Sequence, residues 1–397
     1  MVNRLAGRAR LSVGLIAIAS LAMVGVTSAS AKTLYVKPGG HNTAACAILK
    51  PCKTISFAVA RAHKGDTVRV AKGTYKGSVT ITKDVKLVGV NRPVIDASHL
   101  INGVLISGSK AAGARVDGFV VENALQEGIL ATRTSSVTIA ANLVRFNDKG
   151  APASHPKREC APAGAIPGDC GEGLHLMTVT DARVTGNTVA DNLGGILITD
   201  EFGPTDGNLV SHNRVLNNVG DCGITLAGHN PGAFSAGKPE PGTAGVYENK
   251  IIDNVADGNG TKGLGGGILL AAGEPGAGVY GNLIQGNVAN GNGLGGLTLH
   301  SHAPGQDLND NQIIDNSFSH DGLHGGYPNG GPGDVQAGVT HTAGIIIFSA
   351  VTKLAGTVVR GNRLSDEYYG IWTEDLPTMS TAANTFAKNV TTKLFQQ

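Results

Sequence analysis

The segment GGLTLHSHAPG, Gly295 to Gly305, sets two histidines, His300 and His302, around Ser301 at the end of an apolar alternation. Imidazole takes or gives a proton near neutral pH, and a neighbouring carboxylate strengthens it as a base. His-x-His on a strand is also a chelating spacing, so a divalent metal held by His300 and His302 is a second reading. His229, Asp200, Glu201 and Asp221 are the other groups able to do this chemistry. His229, His300 and His302 are candidate proton-transfer groups, and the three acids are their candidate assistants. Abstraction of the proton alpha to a uronate carboxyl would make a polysaccharide lyase. Paired carboxylates would make a glycoside hydrolase. Asp200 or Glu201 lies about five repeats from Glu374, about 24 Å at the strand spacing, too far for one pair; Asp200 with Asp221 is nearer.

These residues need a scaffold, and two recurring patterns supply it. One is apolar-x-x-Asn-x-apolar-x-x-Asn, as in Ile139/Asn142/Val144/Asn147, Val184/Asn187/Val189/Asn192 and Val210/Asn213/Val215/Asn218. It returns at Val246/Asn249/Ile251/Asn254, Val279/Asn282/Ile284/Asn287 and Leu308/Asn311/Ile313/Asn316, and weakens at Asn362 and Asn384. The other is a glycine followed by a short apolar alternation, at Gly128, Gly173, Gly195, Gly223, Gly267, Gly296, Gly344 and Gly370. Period-two segments of this length read as strands with one apolar face. A repeat that cannot bury its own apolar face, stacked many times, is a solenoid. In-register stacking places like residues about 4.8 Å apart, so asparagines can hydrogen-bond up the stack. Those asparagines are structural.

Counting from each strand glycine puts His175, Leu197, Thr225, Leu269, Thr298, Ile346 and Trp372 in one row. Met177, Thr199, Ala227, Ala271, His300, Phe348 and Glu374 make the next. Both rows should face outward, because the alternate positions are apolar throughout. Long insertions precede and follow these strands and would wall a groove over that face. His175, Trp372, Glu374, Tyr369 and Phe348 are then candidate substrate-binding residues, since aromatic faces beside polar groups suit a sugar ring.

Composition agrees with a narrow core. Glycine is 58 of 397 residues, aromatics are 4%, and there is one tryptophan. Residues 1–31 carry Arg4, Arg8 and Arg10, an apolar run Leu11 to Val26, and the small-residue site Ala29-Ser30-Ala31. That is the pattern of an export signal. Beyond residue 31 the chain has 29 basic and 30 acidic residues, with no surplus to attract nucleic acid or an anionic membrane. Five cysteines suit an oxidising compartment. Cys46 with Cys52 and Cys160 with Cys170 are expected as local disulfides, and Cys222 as a buried free thiol. Residues 32–66 read as a cap with the Cys46/Cys52 loop and a short helix, Thr54 to Ala62, ahead of a solenoid over 67–397.

The stretch TLYVKPGG…PCKTISFAVARAHKGDTVRVAKGTYKGSVTITKDVKLVGV, followed by Asn-marked coils, resembles secreted bacterial right-handed parallel β-helix repeat proteins. That group contains pectate-lyase-like enzymes and NosD-like periplasmic proteins, and the resemblance covers about residues 33–390. It implies an all-β, right-handed parallel β-helix of about ten or eleven coils, secreted or periplasmic. It implies a polysaccharide as ligand or substrate, with a non-catalytic glycan-binding or NosD-like metal-related role as the alternative.

Overall fold

Period-two alternation folds here into short strands that stack coil on coil. The computed structural model describes residues 30–397 except 43–44, 149–171, 230–233, 236–237, 240–243, 263–264, 273–274, 302, 325–338, 340, 350–353, 374–382 and 397. Among the described residues, three sheets of eleven strands run side by side. Neighbouring strands pair in parallel and in register, as in Ile129↔Leu174, Leu174↔Ile196 and Ile196↔Ile224. The chain is a parallel β-helix with one strand of each sheet per coil. Residues 1–29, most of the segment expected as an export signal, and Cys160 and Cys170 lie outside the described residues. Among the described residues no helix is long and apolar enough to cross a membrane.

The sheet that carries the strand glycines contains Val79–Ile81, Val104–Ser107, Ile129–Ser135, Glu172–Thr180, Gly194–Thr199, Ile224–Gly228, Ile268–Ala272, Leu297–Ser301, Ala343–Ser349, Tyr369–Thr373 and Thr392–Gln396. Its inward residues Ile129, Leu174, Ile224, Ile268, Leu297, Ile345 and Ile371 are fully buried and form part of one continuous core. The two outward rows pair as counted from the strand glycines, His175↔Leu197↔Thr225↔Leu269↔Thr298↔Ile346↔Trp372 and Met177↔Thr199↔Ala227↔Ala271↔His300↔Phe348. The glycines themselves answer to space. A Cβ at Gly223 would lie 2.7 Å from the Asn259 side-chain nitrogen, closer than any side chain tolerates.

The asparagines form ladders. In the longest, Asn142, Asn187, Asn213, Asn254, Asn287, Asn316, Asn362 and Asn384 bond in succession. Each side chain also serves backbone. The oxygen of Asn254 accepts from the Asn213 amide at 3.0 Å, and its nitrogen donates to the Val210 carbonyl at 2.9 Å. The residue before each ladder asparagine from Asn142 to Asn362 turns the corner with positive φ, +51° at Ala141 and +54° at Asp253, with glycine at 186, 286 and 361. The sequence template slips by five residues here. Its first asparagine is the ladder residue in the first three copies, its second at Asn254, Asn287 and Asn316, and its first again at Asn362 and Asn384. The reason is that three asparagines, not two, recur in the middle coils, as in Asn208, Asn213 and Asn218, each with its own ladder.

The third position of this set ends in acids. Asn292 donates from its backbone and side chain to Asp321 Oδ1, and the Asp321 amide donates to Glu367 Oε1 at 2.8 Å. Burial pushes the Asp321 carboxyl up to about 8 and the Glu367 carboxyl up to about 9, against the hydrogen bonds each accepts; the charge of Asp257 raises Asp321 further, and that of Asp321 raises Glu367. Both are therefore protonated in the folded chain at neutral pH. Their folded values exceed their unfolded ones, so the stability they contribute is complete below about pH 4 and is lost as pH rises through about 8 to 9. Asp321→Asn continues the ladder without a titrating group. It is expected to be the more stable protein at alkaline pH, by an amount on the order of 3 kcal/mol. Denaturant unfolding across that pH window measures it, and parallel pH curves for the two proteins would contradict it.

At the N-terminal end, Thr54 caps a helix Ile55–Arg61, its hydroxyl accepting from the Phe57 amide. Ile55, Ala58 and Val59 are buried against the first coils, and Cys46–Cys52 closes the preceding loop. Residues Ala31–Gln397 form one compact unit.

Candidate functional site

The outward face is less open than alternation implies. His175, Leu197, Thr298, Ile346 and Trp372 are buried, while Thr225, Leu269 and His300 are half-exposed. At the C-terminal end the cause is aromatic packing. Trp372 stacks between Phe348 and Phe395, with ring centroids 6.4 and 6.3 Å away, and Tyr369 packs on Phe395 at 5.1 Å. Trp372, Phe348 and Tyr369 are thus corrected from sugar platforms to a cluster that fills the end of the sheet. Glu374 and His302 lie outside the described residues. The longest insertions that would wall the groove lie largely there too.

Around His175 the closure is polar. The ring is fully buried, and Nε2 lies 2.8 Å from the Thr199 hydroxyl of the next coil. Thr199 donates to Glu201 Oε2, and Glu201 Oε1 lies 3.2 Å from His229 Nδ1. This gives a continuous chain from His175 through Thr199 and Glu201 to His229. Burial alone would raise the Glu201 carboxyl. The hydrogen bond and charge of His229, the charge of His175 and the Thr199 hydroxyl outweigh it and hold the group at about 2. Glu201 is therefore a fixed carboxylate beside an imidazole.

Asp200 does something else. Its Oδ1 accepts from the His229 amide at 2.7 Å and its Oδ2 from the Gly245 amide at 2.6 Å. Offered by the sequence as a catalytic assistant, it is instead a buried anchor for the loop that carries His229. That anchoring is how the fold aims His229, which lies just past the strand Ile224–Gly228.

His229, Asp221, Glu172 and Thr225 line one cleft of about 160 Å³. Gly194 opens it, because a side chain there would meet Glu172 at 3.2 Å and Asp221 at 3.3 Å. Cys222, at its base, is a buried free thiol as expected, and burial, then the Asp221 charge, push it up. His300 stands two coils further on, between Ala271 and Phe348, outside this cluster. A second depression of about 480 Å³ lies on the same sheet toward the N-terminus, lined by Leu105, Leu130 and Thr132. Arg133 stands at its edge over the Phe202 ring, 4.0 Å from the centroid.

Two acids were missed by sequence reasoning. Glu127 and Glu172 each immediately precede a strand glycine, Gly128 and Gly173, in successive coils. Aligning the position before the glycine, as well as those after it, would have found them. Both are buried, and with His175 they bring one potential ligand atom each within 4.8 Å of one another.

Comparisons with known proteins give the following. The family described as "Periplasmic copper-binding protein (NosD)" matches residues 61–256. A 3-dehydroshikimate dehydratase of Acinetobacter baylyi is 31% identical over 110 residues, 26% of this chain, and the match spans only 21% of that enzyme. Among solved structures, pectate lyase Pel9A aligns over 84% of this chain and 80% of its own, with 18% identity and a TM-score of 0.51. The Dettilon tailspike protein aligns over 86% of this chain and 63% of its own, with 15% identity and a TM-score of 0.55.

Proposed function

We propose that this right-handed parallel β-helix protein binds an extended acidic polysaccharide along its open sheet and cleaves it by proton transfer through His229. The observation that carries the reading is the Glu201–His229 pair at the wall of a cleft shared with Asp221. A carboxylate on Nδ1 orients the ring and stabilises its protonated form, and an imidazole so held can exchange a proton with a substrate. The cleft is small beside ordinary ligand sites of about 300–1,000 Å³, so it suits one sugar unit of a polymer. The second depression continues the floor, and Arg133 there is a cation for an acidic unit. It stands three coils from the strand that precedes His229, about 14 Å, so it grips a different unit from the one that reacts. The pectate lyase with which the fold is shared acts on such a polymer, and export through residues 1–31 would deliver the protein to the periplasm or the cell exterior.

The test is a screen of acidic and neutral polysaccharides, following ultraviolet absorbance of unsaturated ends together with reducing ends. Both rising together means β-elimination, and reducing ends alone mean hydrolysis. No product on a broad panel, with a polysaccharide still bound, would remove the catalytic reading. The match to a copper-binding family favours a second reading, a non-catalytic periplasmic protein that binds glycan or handles metal, and that outcome would support it.

A further inference from the structure

His175 is a fully buried imidazole whose protonation state can be read from its neighbours. Glu201 is a carboxylate and can only accept, so the single Thr199 proton is spent on it. The Thr199 oxygen must then accept from His175, which puts a proton on Nε2. Nδ1 is left facing Glu127 Oε1 at 3.6 Å, with no hydrogen-bond partner for either atom. With Nδ1 bare, two lone pairs oppose each other in a dry site. With Nδ1 protonated, the two make a buried ion pair at 3.6 Å, still too long for a hydrogen bond. Neither state gives either atom a hydrogen bond, and buried polar atoms almost always have one.

A cation between them does satisfy both. Two donors each about 2.1 Å from a zinc ion at the tetrahedral angle lie about 3.4 Å apart, close to the spacing found here. Glu172 supplies a third ligand atom within 4.8 Å of both. The supporting shell is also present. With its amide nitrogen turned inward, Asn102 donates to Glu127 Oε2 at 2.6 Å, which directs Oε1 at His175. Thr199 fixes the imidazole tautomer that a metal needs.

We propose that Glu127, Glu172 and His175 hold one divalent first-row transition ion. One imidazole and two carboxylates suit zinc or manganese, and lack the sulfur that a cuprous ion prefers. Because Glu172 also lines the cleft, the ion sits at its border. The site does not depend on polysaccharide cleavage, since occupancy is measured without turnover.

The experiment strips the full-length protein with chelator and titrates zinc against a chromophoric competitor, with thermal unfolding in parallel. One equivalent is expected, with a rise in melting temperature on loading. Glu127→Gln is expected to abolish both. Thr199→Val keeps every ligand and should weaken binding about 10- to 100-fold at unchanged stoichiometry; it decides the matter if Glu127→Gln does not fold. The proposal is overturned if the parent protein takes up no zinc, or if Thr199→Val binds as tightly as the parent. It is equally overturned if Glu127→Gln raises the melting temperature while zinc shifts neither protein. That pattern would mean a metal-free cluster sharing protons.

Discussion

Asn254→Ala is expected to destabilise the fold by about 3–6 kcal/mol. The side chain accepts from the Asn213 amide and the Asn213 side chain, and donates to the Val210 carbonyl and to Asn287, all at 2.9–3.0 Å. Truncation strands at least the Asn213 amide and the Val210 carbonyl in a buried corner. Each such group costs about 1–3 kcal/mol. The total is a large share of a typical net stability of about 5–15 kcal/mol. Asn290→Ala, at an exposed asparagine of the same stack, should change stability by less than about 0.5 kcal/mol. Guanidinium unfolding of the two variants side by side measures the contrast. Equal losses would mean that the ladders contribute no more than any surface amide.

The second large effect is catalytic. On whichever polysaccharide is cleaved, His229→Ala is expected to lower kcat by about 10²- to 10⁴-fold, the usual contribution of a positioned proton-transfer group. Glu201→Gln tests the positioning role separately. It keeps the shape of the side chain and one acceptor oxygen, which can serve Thr199 or the ring but not both, and it removes the charge that favours imidazolium. A base works in its neutral form, so with less imidazolium the acidic limb of the pH–rate profile should move to lower pH. A merely structural role for Glu201 would lower the rate without moving that limb. Full activity in His229→Ala would remove this residue from the mechanism.

Much of the scaffold was legible because side-chain period and strand register are the same fact in a stacked sheet. Counting from Gly173, Gly195, Gly267 and Gly296 placed Thr199 beside Met177 and His300 beside Ala271, as observed. The asparagine template was harder, because three equivalent asparagines at five-residue spacing leave the frame ambiguous without the backbone. The site was legible only in part. Period two said that Trp372 points out from the sheet, but not that Phe348 and Phe395 would bury it. Asp200 and Glu201 are adjacent carboxylates with the same local pattern. Only the fold shows that one accepts two loop amides while the other meets His229.

The ladders tie each coil only to the next, between residues 22 to 49 positions apart. Nothing inside a single coil repays the entropy of closing it. Folding of such a chain is therefore a growth process, like deposition of layers on a seed, with nucleation costly and propagation repetitive. The helix Ile55–Arg61 and the Cys46–Cys52 loop sit at the end synthesised first, so a seed can form before the remaining coils exist. Propagation then slows wherever a long insertion lengthens the closing loop, as between Arg145 and Glu172 or between Ser319 and Ala343. The insertions that make one coil differ from the next thus also set the pace at which the column is built.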